Sequence, residues 1–412
     1  MKYKVLIAVC IGGFLQSYNS YISQYFTDAT LGLYISKDHE AIFYYLNLIP
    51  WFIIWPLSSF YFGPMGDRKG RKPMLVPSMM LMAVSTFLLG VLPIYSQIGL
   101  LSSVLMFLLN CVQGFAFGGE FGGAVSLLLE YAPSKKRGFY ISWLIFSIFI
   151  GILFVALLSA WFYESFSSGF FREWGWRILI LAGIVMVFPA AYLRSAVPES
   201  PVFTKIEPLK APLRQLFSQY GKNIVLGIGL CIGPAVWIGF HFDFHTTFFI
   251  DFVGVTKMNA FLLLSYTTAI FLVFIPVMGA VSDKFGRKFI FYWGCIAMAV
   301  ISWPLFQLVK LHHPVILFIV LFFFGFFSAF LFSVLSCFLG ELFPTNVRYS
   351  GYSVASNIGI GVFETIIPPL AILSIRYYNL YLSALMVSLA CIISLICAYF
   401  LKETAFHELE NE

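Results

Sequence analysis

Charge is what this sequence has least of. Only 11% of its 412 residues are Asp, Glu, Lys or Arg, against roughly a quarter in an average soluble domain. So few charges cannot coat a water-facing globule of this length, which excludes a soluble enzyme, a nucleic-acid-binding domain and a disordered scaffold. No long polar stretch is present that could hold a soluble domain, and no G-x-x-x-x-G-K-[ST] phosphate loop; a nucleotide-driven pump in one chain is excluded with them. Cysteine is sparse as well. All seven (Cys10, Cys111, Cys231, Cys295, Cys337, Cys391, Cys397) lie in apolar stretches. No Cys-x-x-Cys pair or Cys/His ligand spacing occurs, so they read as reduced packing residues, and neither a metal nor a cofactor is expected.

What is abundant is apolar: 60% of residues, with a mean hydropathy of +0.90. A helix crossing hydrocarbon needs about 20 mostly apolar residues. That rule predicts twelve spans, at 5–27, 41–62, 74–94, 100–129, 139–162, 177–197, 223–250, 259–282, 289–309, 314–340, 350–375 and 380–401. The apolar stretch after Lys4 could pass for a signal peptide, but Gln16-Ser-Tyr-Asn-Ser stands where a cleavage site should be, so a retained first helix is expected. With both termini on the cytoplasmic side, 19 of the 25 basic residues fall on inner segments, Arg194 counted among them. The positive-inside rule fixes that orientation and accounts for the net charge of +6 without a polyanionic partner. A multi-pass protein of a bacterial inner membrane is expected, with the lipid bilayer as its surroundings and a monomer as its state. The one long polar connection divides the chain into six-helix bundles at 1–198 and 223–412, joined by a cytoplasmic linker at 199–222.

Polar punctuation repeats between the halves. Gly63-x-x-x-Asp67-Arg68-x-Gly70-Arg71-Lys72 recurs as Gly279-x-x-x-Asp283-Lys284-x-Gly286-Arg287-Lys288, an offset of 216. Glu130-x-x-Pro133-x-x-x-Arg137 recurs as Glu341-x-x-Pro344-x-x-x-Arg348, an offset of 211. Two motifs repeating at nearly one offset imply duplicated six-helix halves in parallel orientation, an architecture of alternating-access transport. The motif chemistry is mechanical. Asp67 and Asp283 can cap a helix or pair with arginine, and Glu130 and Glu341 stand at inner helix ends within reach of those arginines. A gating latch is expected from Asp67, Arg68, Arg71, Glu130, Arg137, Asp283, Arg287, Glu341 and Arg348; the plainer alternative is that these charges only enforce topology.

The duplicated G-x-x-x-D-[RK]-x-G-R-K loop resembles the signature of the major facilitator superfamily. More narrowly, Gln113-Gly-Phe-Ala-Phe-Gly-Gly-Glu-Phe-Gly-Gly-Ala124, Glu130-Tyr-Ala-Pro-Ser-Lys-Lys-Arg-Gly-Phe139, Pro198-Glu-Ser-Pro201 and Gly340-Glu-Leu-Phe-Pro-Thr-Asn-Val-Arg-Tyr349 are similar to patterns of its metabolite–proton symporters. That family takes up betaines and proline, 2-oxoglutarate, citrate and shikimate. The resemblance implies an all-α fold of twelve transmembrane helices in two pseudo-symmetric bundles. It also implies a small-molecule substrate and protons as the coupling partner. The chain departs from the family where coupling chemistry is expected: Gln16 and Asn19 replace the first-helix Glu and Asp, Asn110 replaces a basic residue, and Ile145 an acidic or amide residue.

Several polar groups remain inside the spans. Gln16, Asn19, Ser20, Ser23 and Thr27 make one stripe on the first helix, beside Tyr18, Tyr21 and Tyr25. Asn110, Gln113 and Glu120 follow one face of the fourth. Ser353, Asn357 and Glu364 lie on the eleventh. Glu120, about 15 Å along the helix from Glu130, is expected near mid-membrane as a proton site or a packing bond, and Glu364 as its counterpart. These stripes read as walls of a water-filled cavity or as interhelical hydrogen bonds. Trp237, His241 and His245 share a face of the seventh helix, expected near the outer rim as a vestibule or gate contact. No Lys or Arg is expected in the core, which favours a zwitterion, monoacid or polyol. The leading expectation is proton-coupled uptake of a small polar metabolite; an uncoupled facilitator, exchanger or exporter is the alternative, and a non-transporting sensor a third.

Overall fold

A computed structural model describes residues 2–35, 43, 46–165, 169, 174–309, 313–377, 380–407 and 409, and of 2, 23–32, 163, 186, 305, 314 and 380 the backbone alone. Lys37, Arg172, Lys310, the side chains of Ser23, Tyr25 and Thr27, and part of the expected span at 41–62 therefore lie outside the description. Among the described residues twelve long helices follow one another: α1 Lys2–Tyr34, α2 Trp55–Lys69, α3 Lys72–Val91, α4 Leu100–Tyr131, α5 Arg137–Ser165, α6 Trp176–Ser195, α7 Pro212–Ile238, α8 Lys257–Phe285, α9 Arg287–Val309, α10 Pro314–Glu341, α11 Arg348–Tyr377 and α12 Leu380–Phe400. Among the described residues, eleven helices are long and apolar enough to cross a membrane. The remaining one, α2, is prolonged at its start by a π-helical turn at Pro50–Ile54.

The sequence explains where helices stop. Gly70 and Gly286 close α2 and α8 at φ of 108° and 100°, a region that side chains with a Cβ resist. Pro212 and Pro314 open α7 and α10 at the first helical position, where the missing N–H costs nothing. One boundary differs from expectation. α7 begins at Pro212, inside the segment read as linker, and bends at Tyr220. At its other end it continues through π-helical Gly239–Phe244, His245–Phe248 and π-helical Phe249–Val253.

Within the first half α1 packs on α5, α6 and α4, and α3 on α4 and α6; within the second, α7 packs on α11 and α12, and α9 on α10 and α12. The halves meet along two seams, α5 against α8 and α2 against α11. The repeat offsets carry α2 onto α8 and α5 onto α11, so the seams are pseudo-symmetric mates. Close approach at each depends on a motif glycine. A Cβ at Gly63 would stand 2.7 Å from the Ser350 Cα, and one at Gly279 2.8 Å from the Gly138 carbonyl oxygen.

Candidate functional site

At the end carrying the basic loops, the repeated motifs face each other across both seams. The Asp67 carboxylate accepts the backbone N–H groups of Tyr349 (3.1 Å) and Ser350 (2.8 Å) in the first turn of α11. Its mate Asp283 accepts those of Gly138 and Phe139, both at 2.9 Å, in the first turn of α5. Helix N-termini carry unpaired N–H groups and partial positive charge, so each carboxylate caps a helix of the opposite half. Each aspartate also holds the arginine four residues on: Asp67–Arg71 at 3.2 Å and Asp283–Arg287 at 2.9 Å.

The glutamates join both halves. Glu130 Oε1 accepts from Arg71 of its own half at 3.0 Å and from Arg348 of the other at 2.7 Å. Glu341 meets Arg287 of its own half at 3.2 Å and Arg137 of the other at 3.7 Å. Arg71 further donates to the Thr345 carbonyl across the seam, and its guanidinium lies over the Phe203 ring of the connecting segment at 4.5 Å. Eight of the nine latch residues come together here. Arg68 does not; it is exposed, while Asp67 and Arg71 are fully buried.

Toward mid-membrane, α11 lies on a glycine track of α4. The Tyr349 hydroxyl donates to the Gly119 carbonyl, and the Asn357 amide to that of Gly118 at 2.9 Å. Ser353 abuts Gly122, where a Cβ would meet its Oγ at 2.0 Å. Farther along, the Tyr21 hydroxyl donates to Glu364 Oε1 at 3.3 Å, crossing from α1 to α11. On the other seam Phe149 of α5 meets Phe271 of α8 at 4.6 Å between ring centres, and Phe242 and Phe332 at 5.4 Å.

Other expected site residues turn inward within the first half. Gln16 donates to the Phe117 carbonyl at 3.1 Å, and Ser20 bonds back to Gln16. Asn19 is buried beside Gly183 of α6, within 2.4 Å of a Cβ placed there. Gln113 donates to Thr86 of α3 at 2.8 Å, and Asn110 to Asn47 at 2.9 Å. The Gln16 and Gln113 contacts are interhelical hydrogen bonds, while that of Ser20 stays within α1.

Two expectations are corrected. Arg194 is not a loop residue, and the core does contain an arginine: its guanidinium reaches Glu120 Oε1 at 2.8 Å with both side chains buried. It fits because Gly12 of α1 leaves space that a Cβ would fill, 1.7 Å from Arg194 Nη2. Counting apolar residues put Arg194 at the margin of its span, where a long side chain can turn inward to a buried partner. His241 is not at a rim vestibule either. It is fully buried, stacked on Trp237 at 4.7 Å and bonded to Thr268 at 3.1 Å. Helical structure runs on to Val253, twelve residues and about 18 Å beyond it.

Some contributors went unread in the sequence. Glu199 accepts the Lys72 N–H at 3.1 Å, capping α3, and Glu403 accepts those of Arg287 and Lys288 at 2.9 and 3.0 Å, capping α9. A third repeated pair, one glutamate just beyond α6 and one just beyond α12, was there to find. Tyr349 gave no signal of its own, but the spacing of Gly118, Gly119, Gly122 and Gly123 marks a face open to a bulky partner.

Comparison with known proteins agrees with this geometry. The sequence model of the Major Facilitator Superfamily matches residues 6–363, and a second match covers 254–411. The glycine betaine/proline/ectoine/pipecolic acid transporter OusA of Dickeya dadantii is 30% identical over 373 residues, 87% of this chain and 74% of that protein. The inner membrane metabolite transport protein YhjE of Escherichia coli is 31% identical over 383 residues, 87% of this chain and 86% of that protein. In fold, the chain superposes on the proton:xylose symporter XylE bound to 6-bromo-6-deoxy-D-glucose with a TM-score of 0.83. That match has 18% identity and covers 99% of this chain and 97% of that one. The two mirrored seams thus belong to a known architecture: this chain is a member of the major facilitator superfamily, among its metabolite:proton symporters, and a membrane transporter rather than an enzyme.

Proposed function

We propose that the protein takes up a small polar metabolite, of the amino-acid, betaine or organic-acid class, by alternating access coupled to protons. The observation that carries this reading is the mirrored capping of α11 by Asp67 and of α5 by Asp283. Hydrogen bonds and ion pairs at a membrane edge can exchange protein partners for water, so a joint built of them opens without tearing an apolar core. The basic loops support reading that joint, and both termini, as cytoplasmic. Residues 1–198 and 223–412 are the moving bodies, and the chain works as a monomer with no nucleic-acid partner.

The path between the bodies runs along α1, α4, α7 and α11, past Gln16, Asn19, Ser20, Trp237, His241, Asn357 and Glu364. One arginine lies near it, and Glu120 already neutralises that charge. A zwitterion or monoacid suits such a path better than a tricarboxylate. This agrees with relatives named for proline and betaine. The neutral set Gln16, Asn19, Asn110 and Ile145 favours an uncoupled facilitator as the second reading.

Uptake into proteoliposomes, with and without an imposed pH gradient, tests both with L-proline, glycine betaine, 2-oxoglutarate and shikimate as probes. Accumulation driven by an inward proton gradient is expected. Equilibration indifferent to the gradient overturns symport in favour of the facilitator, and saturable binding without movement overturns transport.

A further inference from the structure

Trp237 and His241 stand out on the proposed path by what they leave unbonded. Gln16, Ser20 and Asn357 of the same path each find a protein partner. The Trp237 indole N–H and His241 Nδ1 have none among the described residues, although both side chains are fully buried. A buried polar group without a partner is costly, so each of these calls for an occupant that satisfies it.

The hydrogen bonds around His241 fix its tautomer. The Thr268 hydroxyl has one proton, which goes to the Leu264 carbonyl at 2.8 Å. Toward His241 that hydroxyl can only accept, so the contact at 3.1 Å takes the proton of Nε2. Nδ1 is then the bare, accepting nitrogen of a neutral imidazole. Trp237 offers the opposite, since an indole nitrogen donates and does not accept. The two rings stack at 4.7 Å and 26°, so an acceptor and a donor belong to adjoining rings that carry no net charge. His241 stands in π-helical Gly239–Phe244, and single π turns inside α-helices recur at functional sites.

The surroundings are aromatic, and one of the rings comes from the other half. Phe271 of α8 and Phe332 of α10 meet Trp237 at 5.0 and 4.9 Å, and Phe242 meets it at 5.6 Å. Phe149 of α5 touches these same three rings at 4.6, 5.4 and 5.4 Å and reaches Trp237 itself at 6.3 Å. Parting α5 from α8 at this level takes Phe149 away from the pair.

We propose that Trp237 and His241 read the two ends of a zwitterion: the indole N–H donates to its carboxylate, and His241 Nδ1 accepts an N–H of its ammonium. This rests on the uptake reading above and narrows it to an amino or imino acid that keeps at least one N–H. A fully N-methylated betaine has a carboxylate for Trp237 but no donor for His241, whose nitrogen it leaves buried and unbonded. A site built to bond a substrate N–H discriminates strongly against the analogue that lacks it.

Uptake of L-proline into proteoliposomes, with N-methyl-L-proline and N,N-dimethyl-L-proline as competitors, tests this. The first methyl leaves one N–H on the zwitterion and the second removes it. Competition should survive the first methyl and fall at least about tenfold at the second. A steady decline with each methyl reports crowding, and equal competition by both reports that the N–H is not read; either overturns the inference. His241→Phe should weaken L-proline and N-methyl-L-proline to the level of N,N-dimethyl-L-proline and leave the last unchanged, whereas Trp237→Phe should weaken all three alike. A His241→Phe protein that weakens all three alike marks a merely structural histidine and overturns the inference; if that variant does not fold, the wild-type series decides alone. Wild-type uptake of glycine betaine, 2-oxoglutarate or shikimate without L-proline overturns this inference and leaves the uptake reading standing. Uptake of none of them overturns both.

Discussion

Asp67 and Tyr349 belong to different halves of the molecule, 282 residues apart, yet the carboxylate of one accepts the backbone N–H of the other at 3.1 Å. Ser350 supplies a second N–H to the same carboxylate at 2.8 Å. Two donors at a helix start, aimed at one buried anion from the opposite half, join the two halves at that end of the molecule.

Asp67→Asn should loosen that joint. An amide presents one acceptor oxygen where two are used, and it removes the charge that complements the start of α11. A hydrogen bond to a charged group is worth about 1.5–3 kcal/mol, so the closed population should fall roughly tenfold to a hundredfold. Spin labels replacing the exposed Lys69 and Lys284 should report a longer distance in the variant, and Asp283→Asn should act in the same direction. An unchanged distance distribution in both would show that the aspartates do not hold the seams.

Gly63→Ala should hinder closure rather than opening. The added methyl meets the Ser350 backbone at 2.7 Å, and backbone cannot swing aside as a flexible side chain does. Overpacking of this kind costs about 1–3 kcal/mol. Transport should slow while membrane insertion and the yield of folded protein stay near wild type, which uptake and size-exclusion profiles would measure. Gly279→Ala, against Ser142 and the Gly138 carbonyl, should match it.

Glu120→Gln should be worse than removing the whole pair. The single change leaves the Arg194 guanidinium buried without its counter-ion, at a cost of about 3–5 kcal/mol. Glu120→Gln with Arg194→Gln removes both charges and should recover much of the lost Tm in detergent. If the double variant melts below the single one, Arg194 has another essential role.

Glu199→Ala and Glu403→Ala should each lower Tm modestly, by an amount corresponding to the ~1 kcal/mol typical of a lost helix cap. The two caps sit in different halves, so their effects should add. Strong non-additivity would mean that the two ends of α6 and α12 act as one unit.

The fold was legible because three separate signals agreed: apolar runs of membrane length, basic residues gathered on alternate loops, and a motif repeated at one offset. The set of charged residues that meets at the two seams was legible for the same reason. Its wiring was not. That Asp67 caps α11 and Asp283 caps α5 depends on which helices become neighbours across a duplicated fold, and spacing along one chain does not encode that. Arg194 was misplaced because hydropathy counting treats any charge near a span boundary as a loop residue, whereas a glycine on a facing helix lets it turn inward. His241 was misplaced because its depth was counted as helix rise along α7 alone, whereas its burial comes from Trp237 and from Thr268 of the neighbouring α8, which that count does not see. The glycine track of α4 was visible as composition, but its occupant, Tyr349, was not.

Each latch glutamate keeps one arginine from its own half and borrows another from the opposite half. When the halves separate at this end, Glu130 still has Arg71 and Glu341 still has Arg287. Of the glutamates' partners only the borrowed Arg348 and Arg137 would change company, while Arg71 would give up the Thr345 carbonyl and the two aspartates their helix caps. No carboxylate is stranded at any point of the swing. In the proposed cycle every carboxylate of this buried ionic joint would trade a partner in the other half for water while keeping one in its own, so the joint could turn over repeatedly.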